Sequence, residues 1–298
     1  MQIVDTSSWR FGPLERPVAL PVDARFVRTL FELTNGWTIE PWSGPSSAPV
    51  ITLRRDDEGY VVTSDWLDKP LRYADDTDAT CTFFVELVVA YSESRSDLLL
   101  LHAGAAAVAE ALIVFPATGN AGKSTLTTTL AAAGACVFSD DALPVSLERG
   151  TGSALGIAPR PRVPLPAGFD RSTREFLEER IAIANESFAY VALSPANAAG
   201  GLAERGTERP IGAFILLDRQ GGSDEGAPVR IVPASRAETM ATLIGQHLGR
   251  PPPARALVES VAKLVERVPC LRMHYREADE AARFLVAHPP FADGGRGR

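Results

Sequence analysis

The stretch ALIVFPATGNAGKSTLTTTLAAAGACVFSDD, residues 111–141, constrains the fold more than any other part of the chain. Its apolar run Leu112-Ile113-Val114-Phe115 has the length and composition of a buried strand. A glycine-bearing turn follows, then Leu126, Leu130 and Ala133 at helical spacing, with Gly134 where a helix C-cap is expected. Ala135-Cys136-Val137-Phe138 reads as a second short strand, and Asp140 and Asp141 lie at its end. Strand, loop, helix and strand in this order predict an α/β fold in which the loop and the aspartates share one edge of a sheet.

Within the loop, Gly122-Lys123-Ser124 completes the pattern G-x-x-x-x-G-K-[ST]. Ala117 stands where that pattern asks for its first glycine, and Gly119 is two residues on, able to supply the tight turn instead. Such a segment binds anions, because loop N–H groups and a helix N-terminus point at phosphate oxygens while the lysine adds a cation. Thr118, Gly119, Asn120, Ala121, Gly122, Lys123, Ser124 and Thr125 are therefore the expected nucleotide-binding residues. Ser124 and Asp140 are the expected Mg²⁺ ligands. An acidic pair on the strand directly after the helix suits a kinase, one carboxylate on the metal and the other facing an acceptor hydroxyl. Either Asp140 or Asp141 fits the second role. ATPases of the transporter type carry their acidic pair far later, with an LSGGQ-like segment absent from this chain.

Upstream, Leu98-Leu99-Leu100-Leu101-His102-Ala103-Gly104 opens the most apolar stretch, residues 98–117. A membrane-spanning helix needs about 20 apolar residues in a row, and His102, Glu110 and Pro116 interrupt this run. Ala109-Glu110-Ala111 is expected to turn a β-hairpin, with His102 in its first strand and its second strand feeding the loop.

The order L-H-A-G, strand, G-K-S-T-L, A-G, S-D-D resembles the catalytic domain of HPr kinase/phosphorylase and its relatives, most of all the HPr-kinase-related proteins found beside peptide-modifying genes. The resemblance spans roughly residues 97–287 and is specific over 98–141. It implies a P-loop kinase core of the HPr kinase/PEP carboxykinase type, using ATP and Mg²⁺ to phosphorylate a serine hydroxyl of a protein or peptide. It implies that His102 lies near the transferred phosphate, that Lys123 and Ser124 act from the loop, and that one of Asp140 and Asp141 is the base. In these relatives a P-R-P element follows the aspartates, and Pro159-Arg160-Pro161-Arg162 stands in that place. Arg160 and Arg162 are thus candidates for stabilising charge on the phosphoryl group in transit. The chain departs from HPr kinases proper in a less glycine-rich loop and in lacking a clear copy of their later arginine–glycine signature, which is linked to phosphorolysis. That departure weighs against the reverse reaction and against HPr as the acceptor.

The rest of the chain is read from composition and periodicity. At 298 residues there is room for one large domain and a small one. A net charge of −7 gives no reason to expect nucleic acid, and no Lys/Arg-rich run suggests a membrane surface. The start, Met1-Gln2-Ile3-Val4-Asp5, lacks a basic and apolar leader. Cys81, Cys136 and Cys270, widely spaced and odd in number, read as buried free thiols of a reducing, cytoplasmic compartment rather than as a metal knuckle.

Residues 1–95 hold all four tryptophans and are expected to form a small N-terminal α+β domain, with helices at 24–33 and 79–93 and a hairpin of strands 50–53 and 60–63. Residues 96–288 form the expected catalytic domain, and 289–298 a disordered tail. Helices are expected at 172–186, 235–249, 253–267 and 277–287, strands at 211–217 and 271–275, and a Gly/acidic loop at 221–227. Pro251-Pro252-Pro253 breaks the helical run, and His247, His274 and His288 read as structural or exposed. The expected activity is an ATP-dependent serine kinase acting on a protein or peptide, with self-association into a homo-oligomer compatible with it. A small-molecule kinase and a nucleotide-binding regulator without transfer chemistry are the two alternatives.

Overall fold

Backbone pairing in the computed structural model builds a six-stranded sheet, a ten-stranded sheet and a two-stranded ribbon, joined by seven helices among the described residues. The fold is mixed α/β. Residues 6–95, 97–117, 121–195, 200–219, 229–248 and 253–290 are described. The expected loop at 221–227, Pro251 and Pro252, and the tail from 291 lie outside them.

The N-terminal part contains β1 (Thr6–Gly12), β2 (Val18–Pro21), α1 (Ala24–Glu32), β3 (Thr38–Pro41), β4 (Ile51–Asp56), β5 (Gly59–Ser64), β6 (Leu71–Tyr73) and α2 (Asp76–Glu93). The strands form one sheet in the order β3-β1-β2-β4-β5-β6. Asp23 starts α1 by accepting the N–H groups of Arg25 and Phe26, and Asp75 starts α2 through the N–H of Asp78. Phe83 and Leu87 of α2 are fully buried in this part's core, and the buried Glu86 accepts a hydrogen bond from the Ser64 hydroxyl on β5. That core is not confined to residues 1–95, because Leu100, Leu155, Ala158, Ile183 and Tyr190 complete it.

The larger part runs β7 (Leu99–Leu101), β8 (Ala103–Val108), β9 (Ala111–Pro116), α3 (Lys123–Ala132), β10 (Cys136–Ser139), β11 (Leu143–Ser146) and β12 (Thr151–Ser153). Next come α4 (Arg171–Glu178), β13 (Ile181–Ala184), β14 (Ala189–Val191), β15 (Glu208–Asp218), β16 (Val229–Pro233) and α5 (Arg236–Gly245). β17 (His247–Leu248), α6 (Ala254–Arg267), β18 (Cys270–Tyr275) and α7 (Ala278–Ala287) end it. The long strand β15 is the spine. Its first residues pair with β12, its middle runs parallel to β9, and its end runs parallel to β18. Residues of α3, α4 and α7 join one core with β8, β9 and β15, while α5 and α6 fill another with β7, β11 and β15.

Three expectations need correction. The helix expected over 172–186 stops at Glu178, and Ile181–Ala184 is a strand paired with β14. Asn185 closes that ribbon by accepting the N–H groups of Ser187 and Phe188, while its amide donates to Asp75 and Asp78 at the start of α2. A partner from the distant N-terminal part thus overrides local helical spacing. The helix expected over 235–249 ends at Gly245, because His247 and Leu248 pair with Leu101 and Leu100. The first strand of the expected hairpin is two strands: β8 pairs with β9, whereas β7 pairs with β11 and β17. His102 lies at the break between β7 and β8, where its N–H donates to the Gln246 carbonyl at 2.7 Å. Among the described residues no helix is long and apolar enough to cross a membrane.

Candidate active site

Local chemistry explains why the singled-out side chains meet. β10 pairs with β8 in an irregular register between Val137 and Ser139, and the Ser139 hydroxyl donates to the Ala103 carbonyl at 2.7 Å. The start of β8 is thereby tied to the end of β10, which brings His102 beside Asp140 and Asp141. Gly104 lets α3 lie close on β8, since a Cβ there would come within 2.8 Å of the Thr127 hydroxyl and 3.6 Å of Lys123 Cβ. Gly122, with φ +90°, turns the chain into α3 in a conformation that favours glycine. Gly122 at the N-cap carries no side chain to close the first turn of α3, whose N–H groups point toward the loop as at other anion-binding helix N-termini.

Lys123 and Ser124 open α3. Lys123 is buried and its Nζ donates to the Ala117 carbonyl at 2.7 Å. Burial lowers its pKa, against the opposing pull of Asp141 and Asp140. Asp140 is buried as well. Its Oδ2 accepts the Arg160 N–H at 2.9 Å, whereas its Oδ1 is buried with no hydrogen-bond partner among the described residues. Burial, and then the charge of Asp141, push its carboxyl up to about 7, against the Arg160 N–H, the nearby Ser124 hydroxyl and the Arg160 charge.

Asp141 is set differently. Its side chain keeps 52% of its accessible surface at a cavity mouth, with His102 Nε2 at 3.6 Å from Oδ1 and Arg160 Nη2 at 3.7 Å from Oδ2. Packing around the carboxylate acts to raise its pKa, but His102, Arg160 and Lys123 together hold it below the usual carboxylate range. Arg160 itself is clamped, its guanidinium lying over the Phe188 ring at 4.3 Å.

His102, Lys123, Ser124, Asp140, Asp141 and Arg160 are thus brought together. Arg162 is not part of this cluster: it is exposed, its backbone bridges to Phe188, and its guanidinium lies 6.0 Å from that ring. Ala121, Gly122 and Thr125 lie at the start of α3, whereas Thr118, Gly119 and Asn120 lie outside the described residues.

Beyond Asp141 and His102 opens a cavity of about 380 Å³, walled by Phe84 and Val88 of α2, Leu100, Leu155, Ile157 and Leu248. Cys81 and Tyr190 border its polar end, and burial raises the pKa of both. Sequence reasoning did not single out this wall. The signal was there in the spacing of Cys81, Phe84, Val85, Val88 and Val89 on one helical face, but only the tertiary fold shows that the face borders the aspartates. Tyr275, buried beneath Gly122, was also missed; a Cβ at Gly122 would come 3.1 Å from its hydroxyl.

The donor set fits a hard divalent cation such as Mg²⁺: a buried carboxylate oxygen without a partner among the described residues, close to the Ser124 hydroxyl. Among the described residues no group of three or more His, Cys, Asp or Glu side chains is arranged to hold a metal ion, so such a cation would need further ligands from elsewhere. No protein-family model matches this chain, and a search of curated proteins found no match either.

Proposed function

We propose that the protein is an ATP- and Mg²⁺-dependent kinase, built on a P-loop core, that phosphorylates a serine hydroxyl of a protein or peptide. The observation that carries this reading is the convergence of Lys123, Ser124, Asp140, Asp141 and His102 at one sheet edge, with Asp140 Oδ1 buried and without a hydrogen-bond partner among the described residues. Phosphoryl transfer asks a protein mainly for positioning and charge neutralisation. The first turn of α3 and Lys123 would bind phosphate oxygens. Ser124 and Asp140 would hold the metal, which when bound neutralises phosphate charge. Asp141, ionised at neutral pH, would accept the acceptor's proton, with His102 fixing its orientation. Arg160, held by Phe188 and by its own N–H on Asp140, would balance the charge of both carboxylates.

The test is incubation of the full chain with labelled ATP, Mg²⁺ and serine-bearing peptides. The expected result is Mg²⁺-dependent phosphoserine, lost in Lys123→Met. Label appearing only on a small metabolite, or tight ATP binding without any turnover, would overturn the reading in favour of a small-molecule kinase or a regulator respectively.

A further inference from the structure

The cavity beside Asp141 has more than the acceptor hydroxyl needs. We infer that it is a specificity pocket for a bulky uncharged side chain adjacent to the acceptor serine, so that the substrate is a peptide in which that serine is flanked by an aliphatic or aromatic residue. The inference rests on the proposed kinase reading and deepens it.

Three observations carry it. First, the polar groups gather at one end. His102, Asp141, Arg160 and Tyr190 lie where a hydroxyl would react, whereas the remainder is walled by Phe84, Val88, Leu100, Leu155, Ile157 and Leu248. Arg160 is the sole lysine or arginine among the described lining residues, and it is engaged by Phe188 and Asp141. An acidic flanking residue would therefore be desolvated without a partner and would face Asp141, which disfavours it. Second, the volume of about 380 Å³ exceeds a serine side chain and accommodates a Leu- or Phe-sized neighbour. Third, Val85 at the rim on α2 is 54% exposed, so the cavity is not closed over. An occupant can stay attached to a chain that continues outside, as in a peptide. Burying such a side chain next to the reacting hydroxyl would also orient the serine toward Asp141.

The experiment uses the full chain with ATP, Mg²⁺ and two peptides identical except for leucine or aspartate next to the single serine. Phosphorylation is followed by kcat/KM, peptide binding by fluorescence anisotropy, and nucleotide affinity separately. The leucine peptide is expected to be used at least ~10-fold better. Val85→Glu, a change at an exposed position that the fold tolerates, is expected to weaken both binding and use of the leucine peptide by ~10-fold with ATP affinity unchanged. Equal use of the two peptides, with ATP bound and serine labelled, overturns the pocket and leaves the kinase reading standing. A Val85→Glu loss confined to ATP affinity also overturns it, by making the cavity part of the nucleotide site. Failure to bind ATP, or label found only on a metabolite, overturns both.

Discussion

Asp140 and Asp141 are neighbours in the chain and opposites in setting. Asp140 is sunk against Ser124 and the Arg160 N–H, while Asp141 looks into the cavity past His102. Their amide variants should therefore fail differently. Asp140→Asn is expected to raise the Mg²⁺ concentration for half-maximal turnover by at least about tenfold. Asp141→Asn is expected to cost about 100-fold or more in kcat with little change in ATP affinity. Separate titrations of Mg²⁺ and ATP check this, and identical behaviour of the two variants would refute the division of roles. At this scale the sequence was informative where spacing is dictated by one local unit: Lys123, Ser124 and the aspartates sit on a single strand–loop–helix–strand. It was uninformative about Arg160 against Arg162, because only the tertiary fold brings the Arg160 N–H to Asp140 and its guanidinium beside Asp141.

Elements whose ends carry their own capping chemistry were readable, and those ended by a remote partner were not. Gly134 closes α3 and Asp75 opens α2 from within their own segments. By contrast β17 exists because the distant β7 pairs with it, and β13 because it folds back on β14, with Asn185 tied to Asp75 and Asp78; local periodicity extended helices through both. The start of α4 offers a test of such end chemistry. The Asp170 carboxylate accepts the N–H of Thr173 at 2.8 Å, the Ser172 hydroxyl at 2.9 Å and an ion pair from Arg283. Chiefly through the Thr173 N–H, with Ser172 and Arg283 adding to it against the effect of burial, its pKa falls to about 2. A depressed carboxylate stabilises the fold above its unfolded pKa of about 3.9, and loses that contribution as pH falls toward about 2. Asp170→Ala should cost about 0.5–2 kcal/mol at neutral pH. The difference from wild type should shrink between pH 4 and pH 2, measured as urea midpoints across that range. A difference that stays constant to pH 2 would show that the charge contributes nothing.

At the scale of the whole molecule, the N-terminal sheet is welded to the larger part rather than tethered to it. Trp37 Nε1 donates to the Leu155 carbonyl at 2.7 Å, and the Arg205 guanidinium lies over the Trp37 ring at 5.2 Å. Asn35 exchanges backbone bonds with Gly156 and Arg205 at 2.8 and 3.0 Å. Tyr190, which borders the candidate site, belongs to the N-terminal core and stacks edge-on against Phe84 of α2. A shared core of this kind predicts one cooperative unfolding transition. The distribution of tryptophans makes the prediction easy to check, since Trp9, Trp37, Trp42 and Trp66 all lie in the N-terminal part, Trp37 at its junction with the rest, while far-UV circular dichroism reports on the whole. Both signals should have the same denaturation midpoint. Gly156→Ala should shift them down together by about 2 kcal/mol or more, because Gly156 has φ +62° and a Cβ there would sit 2.0 Å from the Asn35 carbonyl oxygen. Two separated transitions, or a variant in which only tryptophan fluorescence moves, would mean that the first sheet melts on its own. The α2 wall of the cavity would then be a movable part rather than a fixed one, and peptide binding should become strongly temperature-dependent over the range of the first transition.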